Sequence, residues 1–212
     1  MKAVKAIPSE LASPFIMNIH YAHRMPCIMY AFGLFVNGDL VGVCTYGMPP
    51  SNSLCRGVAG DDNQDKVIEL NRLCFLPECN GDNNASMLVG RSLKLLPKGL
   101  FVVSYADTGQ GHVGYVYQAT NWMYTGLSAL RTDVFTESGK HSRHTIGDPS
   151  IRQGRSRKHR YIYLTGNKKK QLAQLKYSIS PYPKGDTQRY EVKQQSTDVV
   201  GSQTTMLEAL EI

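Results

Sequence analysis

The sequence predicts an α/β protein built on a mixed β-sheet flanked by helices, and three observations carry that expectation. Residues "YAFGLFVNGDLVGVCTYG" hold two apolar, β-prone runs around Asn37-Gly38, the dipeptide that supplies the positive φ angles of a tight hairpin turn. Beyond the hairpin, strand-like and helix-like segments alternate, and a helical crossover forces the strands on either side of it to pair in parallel. Size supplies the third: 212 residues with 42% hydrophobic content bury a full core within one domain.

Taken in order, "MKAVKAIPSELASPF" lacks the apolar run and small-residue cleavage site of an export signal. "HYAHRMP" reads as a loop or short helix leading to the first hairpin strand. After the hairpin and a polar loop, "KVIELNRLCFLP" is a strand stopped by Pro77. "NNASMLVGRSLKLLPKG" is a helix: polar residues cap it, Met87, Leu88, Leu93, Leu95 and Leu96 are its apolar positions, and Pro-Lys-Gly ends it. "LFVVSYAD" is a buried strand, and "GHVGYVYQATNW" begins another helix or an irregular turn. Residues 125 to 160 hold few apolar positions and read as a long functional excursion. "HRYIYLTG" is a further strand and "NKKKQLAQLKYS" a short helix. Residues 1–184 form a single domain, and 185–212 a polar, weakly patterned tail expected to be flexible.

Composition narrows the function. No window approaches the roughly 20 consecutive apolar residues that span a bilayer, so no membrane partner is expected. Five cysteines (Cys27, Cys44, Cys55, Cys74 and Cys79) at irregular spacing read as free thiols in a reducing compartment. The net charge of +7 is unevenly placed: from Lys140 to Lys176 eleven Lys or Arg face one acid, Asp148. Such a segment attracts polyanions, with Arg143, Arg155, Arg157, Lys158 and Arg160 as phosphate contacts, and "GRSRKHRYIYL" adds aromatic rings that stack on bases. A solvated basic face is the bland alternative.

The stretch "SYADTGQGHVGYVYQATNW" follows a buried strand, yet it gathers hydroxyls, a carboxylate and aromatic rings. Asp107 at the strand end is placed to act as a base or to cap the next turn. Ser104, Tyr105 and Tyr117 supply hydroxyls beside it, while Tyr115 and Trp122 are candidates to stack on a base turned out of a duplex.

Hairpin, strand and "ECNGDNNASMLVGRSLKLL" together resemble the GNAT acyltransferase superfamily, whose loop and helix N-terminus cradle the pyrophosphate of coenzyme A. That resemblance places donor binding at Gly81, Ala85 and Ser86. The loop departs from the superfamily pattern at Asn80 and Asn83, where a basic residue and a glycine are usual, and Asp82 puts a negative charge where a pyrophosphate would lie. A closer resemblance, to the Mom family of bacteriophage DNA-modification proteins, rests on "HYAHRMP", "YAFGLFVNGDLVGVCTYG", "ELNRL", "ASMLVGRSLKLLP", "VVSYADTGQGHVGYVYQATNW", "RKHRYIYL" and "PYPK" in that order. It implies a GNAT-like fold that converts the exocyclic amine of adenine in double-stranded DNA to a carbamoylmethylamino group, within the host bacterial cytoplasm.

The same resemblance implies catalytic roles for His20, Tyr21, Arg72, Ser92, Asp107 and Tyr117. His20 is expected to shuttle a proton near neutrality, Tyr21 to stack on or bond the base, and Arg72 to meet an anion or Glu69 on its strand. The implied donor is acetyl-CoA or glycyl-tRNA. With a glycyl donor, attack of the glycine amine on C6 through a five-membered ring yields the expected product, and transfer RNA becomes a second partner. The family is also associated with ferrous iron (Fe2+), for which two histidines and a carboxylate are the expected ligands; no trio is legible, and metal ligands are unassigned. Two other readings stay open: a GNAT acyltransferase acting on small molecules or proteins, and a non-catalytic DNA-binding anti-restriction protein, which has no need of Asp107 beside Ser104 and Tyr117.

Overall fold

The computed structural model describes residues 1–81, 83–134 and 151–185. Asp82, Arg143, the pair His141 and His144, and the tail beyond 185 lie outside the described residues. The strands are β1 (Lys2–Ala6), β2 (Tyr30–Val36), β3 (Asp39–Gly47), β4 (Val67–Phe75), β5 (Phe101–Asp107), β6 (Met123–Leu127), β7 (Arg131–Val134), β8 (Arg152–Arg155) and β9 (Lys158–Leu164). The α-helices are α1 (Ser9–Pro14), α2 (Asn52–Ala59), α3 (Asn84–Leu95), α4 (Tyr115–Ala119) and α5 (Lys168–Gln174). The fold is the expected α/β one. Seven strands form one mixed sheet in the order β1-β2-β3-β4-β5-β9-β6, and β7 and β8 form a separate two-stranded ribbon.

Local chemistry accounts for the elements. The hairpin β2–β3 turns at Asn37 and Gly38, with φ of 54° and 106°, which only the expected turn residues adopt readily. The α3 crossover makes β4 and β5 parallel. The next strand in the sheet is not the next in sequence: β9 returns between β5 and β6, antiparallel to both. Parallel pairing therefore stops after one crossover: β6 runs in the direction of β5, but β9 is inserted between the two and pairs antiparallel with each.

Strand alternation sends side chains to two cores. On the α3 side, Ile68, Leu70, Val102, Ala106 and Tyr161 pack with Leu88, Val89, Leu93 and the fully buried Trp122. On the other side, Phe101, Val103, Ile162 and Leu164 pack against Cys55, Val58 and Ala59 of α2. A third cluster seats Ala12, Phe15 and Ile16 on Ala31, Val43 and Cys74, and it anchors the π-helical turn Phe15–Ile19 that leads to His20. All five cysteines are free thiols.

Candidate active site

The parallel strands β4 and β5 separate early. They pair only over Val67–Glu69 and Phe101–Val103, although β4 continues to Phe75 and β5 to Asp107. Asn71 is the extra residue of a β-bulge, since Thr45 faces Arg72 while Tyr46 faces Leu70, and a bulge bends the strand that carries it. At the fork a side chain replaces the ladder: Ser104 Oγ lies 2.8 Å from both the Leu70 carbonyl oxygen and Tyr117 Oη. The fork opens into a cleft of about 1840 Å³, room for a nucleobase together with a donor group.

Glu69, the last β4 residue paired with β5, lines this cleft. Burial pushes its carboxyl up to about 7, against the opposing pull of Arg72 and Lys158. A carboxyl held near neutrality is suited to take a proton and release it again. Sequence reasoning placed Glu69 only as a partner for Arg72. The signal available was a lone carboxylate among buried strand residues, but the fork that makes it functional is a tertiary feature. Tyr117, also in the cleft, stays protonated because burial raises its phenol. With the Ser104 proton turned toward Tyr117 Oη, the phenolic proton is released toward the cleft; with it on the Leu70 carbonyl, Tyr117 donates to Ser104 instead.

The segment 20–27 closes one wall. A Cβ at Gly47 would strike the Cys27 carbonyl, so this segment lies directly on the end of β3, and Asn71 Nδ2 donates to that same carbonyl at 2.9 Å. Arg72 Nη2 donates to the Arg24 carbonyl at 2.9 Å and Nη1 to the Asn71 carbonyl at 2.7 Å. The guanidinium thus meets backbone oxygens that hold the segment in place, and it also acts electrostatically on Glu69, the partner the sequence offered. His20 is 8% exposed and stacks on Tyr21 at 4.4 Å. Desolvation, with Arg72 and His23 nearby, depresses its imidazole to about 3. This corrects the expected proton shuttle: the ring is neutral at physiological pH. Nδ1 accepts from the Ala22 N–H at 3.1 Å, so the ring proton sits on Nε2 as a fixed donor.

Asp107 lines the far wall. It accepts from Gly109 N–H at 2.9 Å, as the capping alternative required, and also from Ser156 Oγ and from Lys158 Nζ at 2.8 Å. Burial alone would raise its pKa, but those bonds outweigh burial and keep it below the ordinary carboxylate value. A carboxylate so held is a weak base; it ties the end of β5 to the start of β9. Behind it stand Arg131, Arg155, Lys158 and Arg160 on the rim, the last stacked 3.3 Å over the Tyr177 ring. Gly81, Ala85 and Ser86 line the opposite end at the N-terminus of α3, where backbone N–H groups and the helix dipole favour an anion.

Two expected site residues belong elsewhere. Ser92 is fully buried, bonded at 2.6 Å to Tyr46 Oη and at 3.0 Å to the Val89 carbonyl; it is a strut between α3 and β3. Trp122 has no exposed surface and packs on Tyr117 and Tyr163, which excludes stacking on a base in this conformation. Tyr115 is 66% exposed at the mouth of the cleft and Tyr21 41%, so these two rings are the ones placed to stack. The basic segment is also divided. Arg155, Lys158 and Arg160 stand at the cleft end of the sheet, whereas Lys168–Lys170 begin α5 beyond the opposite end of β9.

A model of the Mom protein family matches residues 2–184. The chain belongs to the Mom protein family. "Methylcarbamoylase mom" of Escherichia phage Mu is 28% identical over 204 residues, covering 85% of this chain and 83% of that protein. Similar solved structures include an N-acetyltransferase from Staphylococcus aureus Mu50, with 14% identity, a TM-score of 0.48 and coverage of 78% of this chain and 99% of that one. The ribosomal-protein-S18-alanine N-acetyltransferase of Escherichia coli is similar at 9% identity and a TM-score of 0.46, over 79% and 96% of the two chains. In this Mom-family chain the matched span contains every residue that lines the cleft. The iron expected from the family has no ligand set there: among the described residues no three His, Cys, Asp or Glu side chains come together to hold a metal. Among them, too, no helix is long and apolar enough to cross a membrane.

Proposed function

We propose that this protein is a transferase that converts the N6 amine of adenine in phage DNA to a carbamoylmethylamino group and so shields it from restriction. The observation that carries this reading is the fork between β4 and β5, where Glu69 stands between an aromatic mouth and a cationic rim. The family match and the name of the phage Mu relative support the same direction.

Adenine N6 is a poor nucleophile because its lone pair is delocalised into the ring, so it must lose a proton as it attacks the donor carbonyl. Glu69 takes that proton. The oxyanion that develops is met by neutral donors: the His20 Nε2–H on one wall and the Tyr117 hydroxyl on the other, the latter also able to protonate the departing group. Neutral donors suit the task, since they need no deprotonation to act and stay fixed while charge appears. A base reaches this depth only when extruded from the duplex, and Tyr21 and Tyr115 at the mouth provide the faces to receive it. The donor's anionic portion lies at the N-terminus of α3, by Gly81, Ala85 and Ser86. Both donors, glycyl-tRNA and an acetyl-CoA thioester, have anionic carriers that suit that terminus, but acetyl transfer stops at an N6 amide. A glycyl group on N6 can instead attack C6 with its amine through a five-membered ring and expel the original nitrogen as the terminal amide, leaving the carbamoylmethylamino product.

The test is incubation of the purified protein with adenine-containing duplex and carbon-labelled glycyl-tRNA or acetyl-CoA, followed by chromatography of the nucleosides. Label on adenine from glycyl-tRNA supports the reading and its product; label from acetyl-CoA alone keeps the transferase but overturns the glycyl route to the carbamoylmethylamino group. If the DNA is bound but no label reaches adenine from any acyl donor, the protein is a binder and the enzymatic reading is wrong.

A further inference from the structure

The ribbon β7–β8 stands apart from the main sheet, and its cross-strand register sorts its side chains onto two faces. Arg131 pairs with Arg155 and Asp133 with Gln153, while Thr132 pairs with Gly154 and Val134 with Arg152. Directly opposed residues share a face, so Arg131, Arg155, Asp133 and Gln153 form one face. Arg131 and Arg155 line the cleft, so this face is the one turned to the substrate. Two arginines directly opposed weaken a ribbon, and an exposed strand such as β8 gives no packing in return; stability does not explain the pair. Asp133 lies 3.2 Å from Arg155 Nε, which fixes the guanidinium in one orientation. The opposite face is held by its own bond, Arg152 Nη1 to Thr132 Oγ1 at 3.0 Å.

We propose that this face is the sequence-reading surface of the protein, laid in the major groove of duplex DNA beside the target adenine, with Arg131, Arg155 and Gln153 on the edges of flanking base pairs. The inference rests on the DNA reading above and adds to it where specificity resides. A two-stranded ribbon fits the roughly 12 Å major groove, and arginine and glutamine are the side chains that make paired hydrogen bonds to guanine and adenine edges there. Geometry also orders the contacts. Gln153 is two residues further along the ribbon than Arg155, about 7 Å, or roughly two base-pair steps of 3.4 Å. The arginines read the positions nearest the adenine, and Gln153 reads about two pairs beyond.

Gln153 separates readout from charge, because Gln153→Ala leaves every cation in place. The full-length protein and this variant are each used to select duplexes from a pool with a fixed adenine between randomised flanks, and the recovered sequences are compared. The expected result is a wild-type preference on one side of the adenine that the variant loses at a single position, by about fivefold to a hundredfold. Arg131→Ala should relax preference closer to the adenine. A wild-type protein that selects no sequence, or a Gln153→Ala protein that selects the same sequences, overturns the proposal. Binding selection does not require turnover, so an inactive protein that still selects sequences would count against the transferase reading and leave the ribbon assignment standing.

Discussion

Glu69 and His20 are tuned by burial in opposite directions, and the difference decides which of them handles a proton. Glu69 sits near 7 and His20 near 3, so at neutral pH the carboxyl is poised and the imidazole is locked neutral. If Glu69 is the base, transfer should rise with pH through about 7 to a plateau, and Glu69→Gln should lower the rate by about a hundredfold or more while abolishing that rise. A pH profile of kcat/KM checks both. The same shifts act on stability with opposite signs. The Glu69 pKa is raised above an unfolded value of about 4.3, so the native state holds the extra proton and stability declines as pH rises from about 4 to 7. For His20 the folded value lies below about 6.5, so stability is lost as pH falls from about 6.5 toward 3. Urea unfolding across pH should show the acid limb flattened by His20→Gln, by at most about 1.4 kcal/mol per pH unit.

Several elements were legible in the sequence because their signals are local. The Asn37-Gly38 hairpin and the periodic α3 lie where turn chemistry and apolar spacing put them, although the N-cap Asn83 makes no side-chain capping bond. Strand β1 was not foreseen: Lys2–Ala6 is a short edge strand with no buried residue, hence without a patterned apolar face. The β4–β5 fork was also out of reach, since the bulge at Asn71 is set by register against β3. The candidate residues from "HYAHRMP" and "SYADTGQGHVGYVY" line one cleft, but whether a hydroxyl is exposed or serves as a strut, as at Ser92, depends on packing that spacing does not record. Ser92→Ala should therefore cost stability, about 1–3 kcal/mol from the stranded Tyr46 hydroxyl, and spare activity per folded molecule; thermal unfolding beside an activity assay separates the two. At Gly114, φ is +80° and a Cβ would strike the Tyr161 ring. Gly114→Ala should destabilise by about 1–3 kcal/mol and displace α4, which carries Tyr115 and Tyr117.

At the scale of the whole molecule, charge is arranged by the sheet and not by the sequence segment. The run from Lys140 to Lys176 looked like one patch, yet β9 carries its two ends apart, with Lys158 beside Asp107 and Leu164 beside Phe101. On the proposed function, only the cleft end bears on DNA. Replacing Arg157 and Arg160 with Ala should reduce the salt dependence of DNA binding by about 0.9 for each phosphate no longer neutralised, whereas Lys168, Lys169 and Lys170 replaced by Gln should leave it unchanged. Filter binding over a salt series reads both. Cationic, aromatic and carboxyl side chains then line one cleft, the groups that a duplex, a flipped base and its N6 proton would need on the proposed reading. The most direct measurement is chromatography with mass detection of nucleosides from DNA of cells carrying the wild-type protein or Glu69→Gln. The expected result is an adenine nucleoside carrying a carbamoylmethyl group on its exocyclic amine in the first and its loss in the second, with both proteins folded. Unmodified adenine in both, or equal modification in both, would contradict the assignment of this cleft and its carboxyl.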